Sequence, residues 1–248
     1  SSDLNQLVGY LGQGKHAGKV SEIAYHNSLM VQIWSAFAAQ DARLMAVAMS
    51  RFGTVPTTAA WGTYVRCHDD IGWAIDDADA AVLQWNGASH RRFLSDFYTG
   101  AFPGSFARGA VFQPNELTGD RRISGSNASL LGVEQALESK DKLALDIAIA
   151  RIRCAYAMVY GFGGIPLLYM GDELGLTNDY SFQEVPEHAD DNRWMHRPVI
   201  DWNKNKKVAD AGTIENRVFS GTQKLIAIRK KIPLIADHSN LTWLTPHN

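Results

Sequence analysis

Residues 64–70 of the chain read YVRCHDD. The segment continues an apolar, β-prone run that starts at Trp61, and it ends in three consecutive ionisable residues, His68, Asp69 and Asp70. In parallel α/β folds, catalytic groups lie at the carboxyl ends of strands, where short loops open into a shared cleft. The segment therefore predicts a functional strand end, with an Asp-rich turn after an ordinary strand as the alternative.

The composition is that of a globular protein without a strongly charged partner. The chain has 248 residues, of which 46% are hydrophobic and 20% are charged, a balance typical of a domain with a sizeable core. The 24 Lys and Arg residues and 26 Asp and Glu residues give a net charge of -2, which provides no attraction for nucleic acid or an anionic membrane. The sequence shows neither a long apolar run nor a signal peptide. We therefore expect a cytoplasmic protein with no nucleic-acid or membrane partner.

The two cysteines, Cys67 and Cys154, are too few for a disulfide framework. One falls in a predicted strand and the other in a predicted helix. We expect both to be free, buried thiols.

Hydrophobic periodicity predicts strands that alternate with helices. The predicted strands cover residues 20–27, 59–67 and 165–170. The predicted long helices cover residues 29–52, 141–162 and 217–231. Residues 70–139 show only short helical stretches, so they form an insertion of a kind that usually carries function. Residues 241–244 have the composition to begin a further strand.

A polar cluster follows each of the three predicted strands. The clusters are His26-Asn27, the 68–70 triplet and Asp172-Glu173. Three clusters in the same relative position indicate an active-site face. His26 can equally be a packed or capping histidine, and Asp172-Glu173 can equally begin a helix, because carboxylates are favoured at helix amino ends.

Five segments, taken together and in order, resemble the sucrose-active α-glucosyltransferases and glucosidases of the α-amylase superfamily, closest to amylosucrase. They are YVRCHDDIGW (64–73), GSFARG (104–109), GDRRISG (119–125), PLLYMGDE (166–173) and DDNRWMHRP (190–198). The resemblance implies an α/β fold, a partial (β/α)8 TIM barrel of about strands six to eight with their helices, carrying a long insertion after strand seven. The implied units are barrel β/α units in 1–70, the inserted subdomain in 71–140, barrel β/α units in 141–235, and the start of a truncated C-terminal β-domain in 236–248.

The resemblance also implies a retaining mechanism, in which one carboxylate attacks the anomeric carbon and a second carboxyl group acts as acid and then base. By motif position, Asp69 matches the third acid of the family, which binds sugar hydroxyls and stabilises the oxocarbenium-like transition state. His68 matches the neighbouring hydrogen-bond donor to the glucosyl hydroxyls. A carboxylate accepts from two hydroxyls at once, and charge-assisted hydrogen bonds are strong.

Further positions match substrate-binding residues of the family. Asp70 would face the acceptor or fructosyl side, and Arg193 would pair with an acid to close the bottom of the glucose pocket. The remaining matches, in the insertion, would meet the acceptor or the leaving group: Gln113, Arg122 and Arg91. The implied substrate is sucrose or an α-glucan, and no cofactor is implied.

The chain departs from the family because no segment matches the early Asp-Asn-His motif, the nucleophile motif or the strand with the acid/base Glu. We therefore expect the isolated chain to be inactive. We also expect its open strand edges to pair with the missing amino-terminal half of the barrel or to drive self-association. The alternative is a non-catalytic carbohydrate-binding or assembly module, and the upstream coding sequence would separate the two.

A metal site is the main alternative chemistry. The 68–70 triplet and the polar residues of 188–191 are of ligand type. Adjacent residues on a strand point to opposite faces, so they chelate one ion poorly. We therefore expect no metal at either cluster.

Overall fold

A computed structural model of the chain describes residues 9–12, 14–52 and 55–244. Within these residues the protein is a mixed α/β fold with a three-stranded parallel sheet and a two-stranded antiparallel sheet. The strands are β1 (Ile23–Tyr25), β2 (Ala60–Thr63), β3 (Ala110–Phe112), β4 (Arg122–Ser124) and β5 (Ile165–Pro166). The helices are α1 (Asn27–Ala39), α2 (Arg43–Ser50), α3 (Asp77–Val82), α4 (Gly87–Tyr98), α5 (Asn127–Leu130), α6 (Val133–Ser139), α7 (Lys142–Gly161), α8 (Trp202–Asn205) and α9 (Ile214–Lys231).

The parallel sheet has the strand order β1-β2-β5. Ile23 of β1 pairs with Ala60 of β2, and Gly62 of β2 pairs with Ile165 of β5. Helices α1 and α2 connect the first two strands, whereas the antiparallel sheet and helices α3 to α7 lie between the second and third. The carboxyl ends of the three strands therefore meet at one edge, as the predicted alternation of strands and helices requires.

The prediction of a single helix over residues 29–52 is wrong, because the first helix ends at Ala39 and a second begins at Arg43. Gln40 adopts a left-handed conformation with φ of 53°. The Asp41 carboxylate accepts hydrogen bonds from the main-chain N–H and the guanidinium Nε of Arg43. Such a local side-chain bond competes with helix continuation and here begins α2.

The observed parallel strands are shorter than predicted. The strand predicted over 20–27 is confined to β1, β2 ends at Thr63, and β5 ends at Pro166. After β5 the Leu167 N–H still donates to the Thr63 carbonyl at 2.7 Å, and the chain then enters a 3₁₀-helix at Asp172–Leu174. The apolar runs in the sequence extend beyond the hydrogen-bonded strands, because an apolar run indicates burial and does not indicate strand pairing.

The strands expected from the sequence differ from the observed ones in two further places. Sequence periodicity did not predict β3 and β4, because strands of three residues are too short to show alternation. The strand expected at residues 241–244 is not present, since these residues contain no strand.

The expectation that both cysteines are buried is corrected. Cys67 and Cys154 are both free, but Cys154 is exposed and Cys67 is only half-buried. The buried stripe of α7 runs through Ile152 and Tyr156, which leaves Cys154 facing outward.

Buried side chains of the core support the segment that follows β2. Trp34 of α1 is fully buried, and its indole Nε1 donates to the Val65 carbonyl at 2.9 Å. The buried hydroxyl of Tyr98 donates to the Trp34 carbonyl at 2.5 Å, so α4 and α1 together support the segment after β2. A buried indole or phenol needs such a partner, since an unpaired polar group in the core is costly.

The longest helices, α7 and α9, pack against each other and are joined by an ion pair between Asp146 and Arg217 at 2.7 Å.

Within the described ranges, no helix has both the length and the hydropathy needed to cross a membrane.

Candidate functional site

A cavity of about 680 Å³ opens at the carboxyl ends of β1 and β2. It is lined by Tyr25, the last residue of β1, by Asn27 at the start of α1, by several residues of the 64–74 segment after β2, and by two distant arginines, Arg122 and Arg193. Five of the seven residues predicted from the sequence line this cavity: His68, Asp69, Asp70, Arg122 and Arg193.

His68 and Asp69 are the exposed polar pair of the cavity. Their side chains are 62% and 51% exposed, and His68 Nε2 lies 3.4 Å from Asp69 Oδ2. The other carboxylate oxygen, Oδ1, lies 3.6 Å from Arg193 Nη1 and 3.8 Å from Arg197 Nη2. The pair therefore presents a hydrogen-bonding imidazole and a carboxylate to solvent, while the arginines behind them balance the negative charge.

Asp70 is the buried acid of the cavity, with its side chain only 7% exposed. Its Oδ2 accepts a hydrogen bond from Arg122 Nη1 at 3.4 Å, and its Oδ1 lies 3.9 Å from Arg193 Nη1. A carboxylate this buried is stabilised by cationic partners. Both partners come from outside the segment, one from β4 and one from the 3₁₀-helix Asn192–His196.

Arg193 is oriented by Asp191 and an aromatic ring. Its Nε and Nη2 donate to the Asp191 carboxylate at 2.8 and 2.7 Å, and its guanidinium lies 4.5 Å from the centre of the Phe112 ring. These bonds lower the pKa of Asp191 to about 2 and raise the pKa of Arg193. The remaining Nη1 group is directed towards Asp69 and Asp70.

His196 connects Gly125, just after β4, to the main chain of His68, a role that the sequence did not reveal. The Gly125 N–H donates to His196 Nδ1 at 3.0 Å, and His196 Nε2 lies 3.1 Å from the His68 carbonyl. Since Nδ1 accepts, Nε2 must carry the proton and donate. Burial and the nearby Arg66 cation lower the pKa of His196 to about 3, so the ring is neutral at physiological pH.

A buried network ties the ends of β2 and β5 together. Arg66 Nε donates to Asp172 Oδ1 at 2.8 Å, and the Tyr156 hydroxyl donates to Asp172 Oδ2 at 2.6 Å. Arg66 also donates to the His196 carbonyl. Burial raises the pKa of Asp172, and the Arg66 cation opposes that shift. Asp172 therefore positions the site through Arg66 and lies outside the cavity lining.

The structure does not bring Gln113 and Arg91 to this cavity. Gln113 follows β3 with φ of 44° and lines a separate depression beside Asp190. Arg91 of α4 bonds to Asp77 at 2.7 Å and lines a third depression. Their assignment to acceptor or leaving-group contacts stays a prediction.

The other polar strand ends contribute unevenly. His26 is fully buried, caps α1 by accepting from the Leu29 N–H, and packs against Trp61 and Phe162, as the packed and capping alternative describes. Its neighbour Asn27 lines the cavity and accepts a hydrogen bond from the Tyr64 hydroxyl. Burial raises the pKa of Tyr64, so its hydroxyl stays protonated.

Cys67, His68 and Asp69 form a group of side chains with metal-ligating chemistry in the cavity. Their ligand atoms all lie within 4.8 Å of one another. Because β2 ends at Thr63 and residues 68–69 lie in a bend, the strand geometry expected from the sequence does not hold at these positions. The expected absence of a metal at the 68–70 triplet stays a prediction.

No protein-family model matches the chain. In structure the chain is similar to the sucrose 6F-phosphate phosphorylase from Thermoanaerobacter thermosaccharolyticum, with a TM-score of 0.55 and 16% sequence identity. The likeness is one of fold. It covers 84% of this chain and 36% of that protein, so the chain spans about a third of the length of its structural neighbour.

Proposed function

We propose that the chain is part of a retaining α-glucosidase or α-glucosyltransferase of the α-amylase superfamily that acts on sucrose or a related α-glucoside, closest to amylosucrase. The observation that carries the proposal is the cavity at the strand ends. His68, Asp69 and Asp70 lie there with Arg122 and Arg193, which are separated from them by more than fifty residues of sequence. The family resemblance assigns His68, Asp69 and Arg193 to the glucose pocket, and Asp70 and Arg122 to the acceptor or leaving-group side of the same site.

The proposed roles follow from the exposure and partners of each group. Asp69 and His68 are open to solvent, so they are available to accept from and donate to sugar hydroxyls. Asp70 is buried against Arg122, which suits a residue at the acceptor or fructosyl side. The Nη1 group of Arg193, which Asp191 does not bind, points towards Asp69 and Asp70. This orientation suits a closing contact at the bottom of a glucose pocket.

The fold supports a partial barrel as the setting of this site. We propose that β1, β2 and β5 are strands six, seven and eight of a (β/α)8 barrel and that residues 71–140 are the insertion after strand seven. Support comes from the parallel order β1-β2-β5 and from the fold likeness to a sucrose 6F-phosphate phosphorylase. In this arrangement the nucleophilic Asp and the acid/base Glu belong to other strands of the barrel.

A non-catalytic carbohydrate-binding or assembly module is the second candidate. It is favoured by the absence of a nucleophile motif and an acid/base motif from the sequence. The enzyme and a carbohydrate-binding module both require sugar contacts at Asp69, whereas an assembly module does not, and only the enzyme requires an Asp nucleophile and a Glu acid/base in the same polypeptide. Sequencing the gene upstream of the codon for Ser1 separates them.

Sugar binding at the cavity tests the proposal directly. Saturation-transfer difference NMR with sucrose and maltose should show contact with the wild-type chain, and Asp69→Asn should reduce the signal severalfold, because an amide cannot replace a carboxylate that accepts from two hydroxyls. Asp210→Asn is the matched control, since Asp210 is exposed and lies outside the cavity and outside the depressions of Gln113 and Arg91. Equal signals from Asp69→Asn and wild type would contradict the proposal, and sucrose turnover by the purified chain alone would contradict the assignment of the bond-breaking residues to other strands.

A further inference from the structure

We propose that Cys67, His68 and Asp69 form a binding site for one thiophilic divalent cation such as Zn²⁺. Thiolate, imidazole and carboxylate are the three ligand types that zinc takes in proteins. Their ligand atoms lie within 4.8 Å of one another, on one wall of the cavity. The metal site does not depend on the proposed function, although it shares His68 and Asp69 with the proposed sugar contacts.

The distances are close to those that a bound ion requires. Zinc–ligand distances of about 2.0–2.3 Å place tetrahedral ligand atoms roughly 3.5 Å apart. His68 Nε2 and Asp69 Oδ2 are already 3.4 Å apart. The most widely separated ligand atoms would have to move about 1 Å closer together. Side-chain rotation can supply this movement, because His68 and Asp69 are exposed.

The backbone and the orientation of the Asp69 carboxylate also suit a metal ligand set at this point. The Asp69 N–H donates to Cys67 Sγ at 3.5 Å, and a donor to sulfur favours the thiolate that metals bind. Arg193 and Arg197 approach Asp69 through Oδ1, which leaves Oδ2 directed towards His68. One thiolate and one carboxylate balance the two charges of the cation.

Binding includes the release of one proton. The cation displaces the thiol proton of Cys67, the sulfur–metal bond forms, and the proton passes to solvent. Three protein ligands leave the fourth position of a tetrahedral zinc for water, as in open sites.

Cobalt(II) is the probe that tests the site, because a cobalt–thiolate bond gives a charge-transfer band in the near ultraviolet and zinc displaces cobalt. We expect the band to saturate at one equivalent in the wild type, to persist in Cys154→Ser and to be lost in Cys67→Ser. Cys154 is the matched control, since it is the exposed second cysteine on α7.

A second variant keeps the test independent of any folding defect at Cys67. Loss of an outer partner of a metal ligand already costs about 10- to 100-fold in metal affinity, so His68→Asn should weaken cobalt binding by at least about tenfold. A wild-type chain without the band, a band that survives in Cys67→Ser, or unchanged affinity in His68→Asn would overturn the metal site. None of these measurements uses a sugar, so failure of the metal site and failure of the proposed function are distinguishable.

Discussion

At the residue scale, two buried histidines remain neutral because of their packing. His90 Nε2 hydrogen-bonds to Ser35 Oγ at 2.8 Å, and its ring packs between Trp85 and Phe93. Burial, reinforced by the neighbouring Arg91 cation, lowers the pKa of His90 to about 4. His196, which holds the His68 main chain, has its pKa lowered to about 3. Both values lie below the ordinary histidine pKa of 6.5.

These shifts predict a loss of stability in mild acid. Above pH 6.5 both histidines are neutral in the folded and unfolded states, so they contribute no pH dependence. Below pH 6.5 the two histidines are protonated in the unfolded chain but stay neutral in the folded chain. The free energy of unfolding therefore falls by about 1.4 kcal/mol per histidine per pH unit. The loss continues until the pH reaches the folded pKa, about 4 for His90 and about 3 for His196.

His90→Gln isolates one of the two groups. Glutamine keeps a polar partner for Ser35 and does not titrate, so between pH 7 and pH 5 the variant should lose about 2 kcal/mol less than the wild type. Urea unfolding at the two pH values measures the difference. Identical pH dependence in both proteins would show that His90 does not resist protonation.

At the element scale, the turn that leads into β5 depends on glycine. Gly164 has φ of 66°, and a Cβ built there would lie 2.3 Å from the Trp61 carbonyl oxygen of β2. The same residue donates its N–H to the Ala236 carbonyl at 2.9 Å and accepts from Arg229 Nη2 at 2.6 Å. The turn therefore sets the pairing of β5 with β2 and the position of the chain after α9.

Gly164→Ala should destabilise the protein by at least about 2 kcal/mol, because it combines an unfavourable left-handed backbone with a clash against a strand. Gly161→Ala is the matched control: Gly161 ends α7, and nothing lies within 4 Å of a Cβ built there. That change should be neutral or stabilise by up to about 1 kcal/mol. Urea unfolding compares the two, and equal stabilities would contradict the proposed role of the turn.

At the scale of the whole molecule, the described residues cover the parallel sheet on one face only. Trp61 and Thr63 of β2 are buried on the helix side. On the other face, Ile23 and Tyr25 of β1 are 52% and 58% exposed, and they surround Gly62 together with the partly exposed Leu167. Parallel sheets are normally covered on both faces. An exposed apolar face beside strand edges that the described residues leave unpaired favours association, either with further strands or with a second copy.

We expect light scattering to show concentration-dependent self-association of the purified chain. Ile23→Lys should weaken it, because a charged side chain on the exposed face opposes strand addition. Leu117→Lys is the control, since Leu117 is fully exposed on the loop between β3 and β4. A monomer at high concentration, or equal weakening by both variants, would count against association through the sheet.

The sequence by itself determined the alternation of strands and helices and the polar residues at the strand ends. It did so because hydrophobic periodicity is a local property, read from neighbours along the chain. Helices α7 and α9 were predicted to within a few residues of their observed bounds. The 64–70 segment pointed to the cavity without any knowledge of the fold, since a strand that ends in acids is itself a local pattern.

Only the tertiary structure decided which of these residues meet. Arg122 and Arg193 reach Asp70 through the packing of β4 and of the 3₁₀-helix Asn192–His196, whereas Gln113 and Arg91 turn into other depressions. The bend that brings Cys67 to His68 and Asp69 follows from where β2 stops pairing. These outcomes depend on contacts between segments far apart in sequence, and the distance between such segments is a property of the packed molecule.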